Sequence, residues 1–181
     1  MTHLGNLQFG NNSFDLEETN IYGIFEPHGH MTWHIEMFPT GEHNYIMFNA
    51  LILDNIFSPQ QLSNIAYTAT ADTSDLYEHA VRVNGQDRFL KSVDMTFGKW
   101  KTETQSVQLI GHGTIEKDDD LTEVAYMFNA ILKFKDLNIF ETTKDATQKF
   151  VDTYLQNGKD DIEVEFENVA SGLQAVIRGH F

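Results

Sequence analysis

Met47-Phe48-Asn49-Ala50 and Met127-Phe128-Asn129-Ala130 are the same four residues, 80 positions apart. Each runs into apolar sequence, Leu51-Ile52-Leu53 in the first case and Ile131-Leu132 in the second. The same offset relates Ile35-Glu36 to Ile115-Glu116, and Asn55-Ile56-Phe57 returns as Asn138-Ile139-Phe140 at an offset of 83. Matches that recur in order at a near-constant spacing are the signature of a repeated unit. The sequence is therefore read as a tandem duplication.

Upstream of the first string, Leu7 and Phe9, then Phe14 and Leu16, alternate with polar residues across the turn signal Gly10-Asn11-Asn12. Ile21 to Phe25 is a short apolar run stopped by Glu26-Pro27. From Met31 to Phe38 a strand places Met31, Trp33, Ile35 and Met37 on one face and Thr32, His34 and Glu36 on the other. Tyr45 to Leu53 is nearly continuous apolar sequence, which predicts a buried strand. Ser58-Pro59-Gln60-Gln61 carries a capping residue, a proline suited to the first helical position and the glutamine of a capping box. With Leu62, Ile65, Ala66 and Ala69 at helical spacing, it predicts a helix over 59–69.

Val81 and Val83 lead into Asn84-Gly85, the pair favoured by a two-residue hairpin turn because both tolerate positive φ. A strand follows from Phe89 to about Phe97, and residues 98–104 separate the two copies. The second copy reads as a strand from Val107 to Glu116, a charged turn and a buried strand from Val124 to Lys135. A helix opens at Thr142, Thr143 and Asp145 and closes at Asn157-Gly158, with Ala146, Phe150, Val151, Tyr154 and Leu155 on one face. Two strands end the chain. The expected fold is α+β: mainly antiparallel β-sheet with two helices, a tandem duplication of a β-β-α-β-β unit about a pseudo-twofold. Residues 1–100 form the first repeat with extra N-terminal strands and 101–181 the second, in one globular unit.

At 181 residues with 41% hydrophobic content and 14 Phe, the chain can bury a sizeable core, which argues against disorder. Lys and Arg number 12 against 27 Asp and Glu, a formal charge of −15. Such a surface repels phosphate backbones and anionic lipid, so nucleic acid and membrane are excluded as expected partners, while a basic protein is attracted. The absence of Cys removes disulfides, thiolate metal sites and a thiol nucleophile. The N-terminus shows no basic region followed by an apolar run, so a cytoplasmic location is expected.

Three groups of residues are candidates for chemistry. His28, His30, His34 and Glu36 have even spacing, and on one strand face they would hold a divalent metal, the only cofactor suggested. The His-x-His pair followed by a Glu resembles the first motif of the cupins over His28 to Glu36. Its His-to-Glu gap is longer than that pattern, no second motif follows, and no cupin fold is inferred. Trp33, His34, Asn49, Trp100 and Asn129 would line an aromatic pocket between sheet and helix. The repeated Asn49 and Asn129, inside apolar runs, are expected to be buried and bonded to backbone. Asp118, Asp119 and Asp120, with Glu163, Glu165 and Glu167, form an acidic interaction face.

No phosphate loop, dinucleotide fingerprint, nucleophile elbow or zinc-protease helix is present. The preferred function is a non-enzymatic binding protein, of the kind an immunity-type inhibitor or an assembly component represents, that takes a basic protein partner on its acidic surface. The alternative is an enzyme or ligand carrier using the aromatic pocket. A homo-oligomer is a third expectation.

Overall fold

The computed structural model describes residues 4–41, 43–71, 76, 79–116, 123–155, 161–179 and 181. The strands are β1 (Gly5–Phe9), β2 (Asn12–Phe25), β3 (Met31–Pro39), β4 (Tyr45–Ile52), β5 (Ala66–Thr70), β6 (Ala80–Val83), β7 (Gln86–Arg88), β8 (Leu90–Phe97), β9 (Ser106–Glu116), β10 (Glu123–Ile139), β11 (Ile162–Val169) and β12 (Gly172–Gly179). One α-helix, α1 (Lys144–Tyr154), and two 3-10 turns, Pro59–Leu62 and Thr102–Thr104, complete the described elements. None of these helices is long and apolar enough to cross a membrane.

All strands belong to one 12-stranded sheet, ordered β5-β8-β9-β10-β1-β2-β3-β4-β6-β7, with β12 beside β10 and β11 beside β12. Every neighbouring pair is antiparallel except β10 with β2. That exception follows from the shortness of β1. Antiparallel to both, β1 separates β2 from β10 over five residues. Before its first residue the two long strands converge and pair directly, Asn20 with Lys133 through Phe25 with Ile139. Thr19 donates its hydroxyl to the Ile131 carbonyl at 2.6 Å where they meet. Gly5 stands at the point of convergence with φ +120, and a Cβ there would lie 1.9 Å from the Asn129 carbonyl oxygen.

The sheet curls so that one face is enclosed. Phe48 on β4 and Phe128 on β10 lie on strands separated by β1, β2 and β3, yet their rings approach to 5.8 Å. Leu7, Ile21, Ile35, Met37, Ile46, Met95 and Leu109 join them in one core. β3 and the first part of β10 contribute alternate residues to this face, as the pleat requires. On β9 the inward positions include Gly111 and Gly113, opposite Phe128 and Tyr126 on β10. The two aromatic rings cover the space that the glycines leave, and the Tyr126 hydroxyl donates to the Ser92 carbonyl at 3.0 Å. The glycine-rich stretch on β9 is thus explained by packing.

Several expectations hold. Asn84 (φ 52) and Gly85 (φ 78) turn the β6–β7 hairpin. The α1 helix opens at Thr143, whose hydroxyl accepts from the Ala146 N–H at 3.1 Å. Its buried face is Thr147, Phe150, Val151 and Leu155, while Ala146 and Tyr154 are exposed. The Asn157-Gly158 stop lies outside the described residues.

The helix expected over 59–69 is not formed. Gln61 does reach back, its side-chain carbonyl accepting the Ser58 N–H at 3.0 Å, but the turn ends at Leu62. Asn64 then adopts φ 62, which reverses the chain, and Ala66-Tyr67-Thr68-Ala69-Thr70 becomes β5. An αL asparagine ends a helix, and the aromatic and β-branched residues beyond it favour a pleated strand. One α-helix therefore stands where two were expected.

The tandem duplication is not confirmed. The repeated strings lie on β4 and β10, but β4 is irregular at Asn49-Ala50, whereas β10 pairs with β9 without interruption from Glu123 to Lys133. After Phe57 comes a 3-10 turn and a strand, and after Phe140 comes α1.

Candidate functional site

The irregularity on β4 is a bulge. Trp33 faces Leu51 and Ile35 faces Phe48, so His34 alone opposes both Asn49 and Ala50. Ala50 holds φ 51, a left-handed backbone that only glycine adopts without cost. A bulge releases backbone groups from the ladder, and here two imidazoles receive them. His79 Nδ1 accepts the Asn49 N–H at 3.1 Å, and His34 Nδ1 accepts the Ala50 N–H at a longer 3.4 Å. With Nδ1 engaged as an acceptor, each neutral ring carries its proton on Nε2.

His34 Nε2 faces the Thr32 hydroxyl at 3.4 Å, and the Tyr22 ring stacks on the imidazole at 4.9 Å with the planes 5° apart. Burial raises the Tyr22 phenol's pKa above its ordinary value, with the Glu36 and Asp136 carboxylates adding to it. His79 is buried against the edge of Phe48, with ring centroids 5.5 Å apart. Burial pushes its pKa down to about 4, His34 lowering it further and the Asn49 contact opposing the shift. The two rings serve first as acceptors for the Asn49 and Ala50 amides at the bulge.

The residues expected to hold a metal are divided. His28 and His30 are exposed on the turn after β2, where Gly29 has φ +85 and the Glu26 N–H donates to the His30 carbonyl. β3 begins only at Met31, so the even spacing does not put them on the face shared by His34 and Glu36. Glu36 accepts from Asn20 Nδ2 at 3.0 Å and pairs with Lys135 at 3.6 Å. Among the described residues no group of three or more His, Asp or Glu is placed to hold a metal ion.

The residues expected to line a pocket are also dispersed. Trp33 is fully buried in the core, and its indole N–H donates to the Ile56 carbonyl at 3.1 Å. Trp100 donates to the Phe181 carbonyl at 3.2 Å and meets Phe134 edge-on. Asn129 is exposed on the outer face of β10, its side-chain carbonyl accepting from Gln108 at 2.9 Å. Alternation explains this placement: Phe128, Ala130 and Leu132 point inward, which turns Met127, Asn129 and Ile131 outward.

Glu163, Glu165 and Glu167 are all exposed on β11, which among the described residues pairs only with β12. Glu165 is bonded to Arg178 of β12. Asp118, Asp119 and Asp120 lie outside the described residues.

A cleft of about 390 Å³ lies between the end of β4 and β5, walled by Ile52, Leu53, Ile56, Ile65 and Tyr67 with Asp54 and Thr68. Helical spacing over residues 59–69 hides it, because the strand β5 forms one of its walls. The signal that would have found it is Asn64 as a stop, followed by an alternating Tyr- and Thr-rich run. Nothing in the local sequence of His79 announces its contact with Asn49 across 30 positions.

The chain matches no family model, curated protein or solved structure. Its functional reading therefore rests on its own residues.

Proposed function

We propose that this chain is a non-enzymatic binding protein that captures a basic protein partner on its acidic surface, in the manner of an immunity-type inhibitor or an assembly component. The observation that carries the reading is the row Glu163, Glu165 and Glu167, exposed on an edge strand of a chain with formal charge −15. Alternate residues of a strand stand ~7 Å apart, so the three carboxylates form a line that can meet successive basic groups. Of these three, only Glu165 has an ion-pair partner among the described residues. The field of the whole chain would steer a cationic partner toward that line, and salt would screen the attraction.

The test uses a lysine-rich peptide as the probe, titrated into the full chain at low ionic strength and at about 0.5 M salt. Binding at low salt that disappears at high salt is expected. The combined variant Glu163→Gln, Glu165→Gln, Glu167→Gln should bind about tenfold more weakly. A control variant, Asp15→Asn, Glu17→Gln, Glu103→Gln, has the same net charge and should bind like the native chain. Equal losses in the two variants would mean that total charge, not this face, attracts the probe, and would overturn the assignment.

A further inference from the structure

We propose that the outer face of the sheet carries a copper(I) site, with the His112 imidazole and the Met127 thioether as its two protein ligands. The site is independent of the glutamates on β11. Packing accounts for Gly111 and Gly113 on β9, but not for the residue between them. The pleat turns His112 outward, where it is exposed. Met127 stands directly opposite on β10 and is 51% exposed. The backbone ladder makes this a close pair. The Gly10 N–H donates to the Ala125 carbonyl and the Ile131 N–H to the Leu4 carbonyl, both at 2.8 Å, so odd-numbered residues of β10 turn their backbone groups toward β1. On β9 the Gln108 carbonyl accepts from the Gly98 N–H at 2.7 Å, which turns even-numbered residues toward β8. Met127 and His112 therefore share no backbone hydrogen bond. Opposite residues of that type have Cα atoms about 4.5 Å apart, the closer of the two antiparallel spacings. A first-row ion sits about 2.0 Å from nitrogen and about 2.3 Å from sulfur, so its two donors must come within about 4.5 Å of each other. Rotation of these two exposed side chains reaches that separation, methionine being unbranched and readily adaptable.

The donor set selects the ion. Zinc takes thiolate, imidazole and carboxylate. Carboxylate and carbonyl suit magnesium and calcium, whereas a thioether beside an imidazole suits copper(I). The chain has no Cys, so methionine is its softest donor. Met31, Met37 and Met95 are buried in the core, and Met47 faces Glu36 and Ala80. Among the described methionines only Met127 has a histidine directly opposite it. The surroundings favour a cation. Asp94 of β8 stands opposite His112 on its other side and places a carboxylate one strand away. Ile110 and Ala125, each two residues along from a ligand and exposed on the same face, border the pair with apolar surface, which limits the access of water to a bound ion. From β8 to β10 no Lys or Arg stands in this row or in the row on either side of it.

The experiment delivers copper(I) to the full chain as its coloured bicinchoninate complex, with ascorbate present and oxygen excluded. Loss of colour reports transfer to the protein, and a single equivalent is expected. Loss of a group that merely supports a metal site costs about 10–100-fold in affinity, and loss of a ligand should cost no less. Met127→Leu and His112→Gln should therefore each weaken binding by at least about tenfold, while both variants, at exposed positions, melt like the native chain. Asp94→Asn should weaken it less. The combined variant His28→Gln, His30→Gln should bind like the native chain. The Met127 methyl resonance should move when copper(I) is added, and the Met47 methyl should not. Zinc(II) is the second probe, and any affinity for it should be indifferent to Met127→Leu. No transfer, or transfer that survives both Met127→Leu and His112→Gln, would overturn the inference. So would a loss confined to the variant at residues 28 and 30, which would put the copper on the turn after β2. A loss in His112→Gln with none in Met127→Leu would overturn the ligand pair. The combined glutamine variant at residues 163, 165 and 167 should bind copper(I) unchanged, so failure of either reading leaves the other standing.

Discussion

Ala50 and Ala130 occupy the same place in the same four-residue string, and the backbone treats them differently. Ala50 is held at φ 51 on the bulge, where an L-residue costs about 1 kcal/mol and glycine costs little. Ala130 is fully buried in a regular strand, where glycine adds chain entropy and removes packing. Ala50→Gly should therefore stabilise the protein by about 0.5–1 kcal/mol, and Ala130→Gly should destabilise it by about 1–2 kcal/mol. Urea midpoints of the two variants decide the matter, and a loss of stability in both would remove the bulge. No reading of the string itself could have told the two apart. What distinguishes them is the partner strand: β3 lays two residues of β4 against one of its own, and β9 does not do so to β10. The same holds for the histidines. Even spacing puts His28 and His30 on a strand face only if the strand has already begun, and Pro27 and Gly29 delay it to Met31.

At the scale of elements, β9 depends on having no side chain at position 113. A Cβ there would lie 2.0 Å from the Ser92 carbonyl and 2.7 Å from the Tyr126 hydroxyl that bonds it. Gly113→Ala must push β8 away or displace the buried tyrosine, and a loss of about 2–4 kcal/mol is expected. Gly29→Ala, at φ +85 with open space around it, should cost only about 1 kcal/mol of backbone strain. Thermal melts of the two variants run side by side would show this gap; equal effects would mean that the contact on β9 yields freely. Much at this scale was legible. Alternation marked β3, β11 and the hairpin at Asn84-Gly85, and Thr143 marked the start of α1. Helical spacing misled at residues 59–69, because Leu62, Ile65, Ala66 and Ala69 fit one helix face equally well when Asn64 is ignored. The same spacing hides the cleft, since one of its walls is the strand β5.

At the scale of the molecule, His79 ties acid stability to the bulge. The imidazole ionises near 6.5 in an unfolded chain and near 4 in the folded one. Between these values the unfolded chain binds a proton that the folded protein refuses, so stability falls as pH falls through this window and levels off below it. The full effect of such a shift is roughly 3 kcal/mol. His79→Gln retains a carbonyl that can accept the Asn49 N–H but does not titrate. The difference in urea midpoint between pH 7 and pH 4.5 should be smaller in this variant than in the native chain, with the common contribution of the carboxylates cancelling. Identical pH profiles would show that the imidazole is not kept neutral by its surroundings.

The wedge formed by β1 has a consequence for the order of events in synthesis. β2 is made well before the strand it joins directly beyond Thr19, residues 133–139. At ordinary ribosomal speeds roughly ten seconds separate their emergence. Until then the inner half of β2 has β3 on one side and an open ladder on the other, with Ile21 and its neighbours uncovered. Closing so long a loop is slow and entropically costly. The newborn chain thus carries an unfinished seam between those two moments, and the far half of β10 is what seals it.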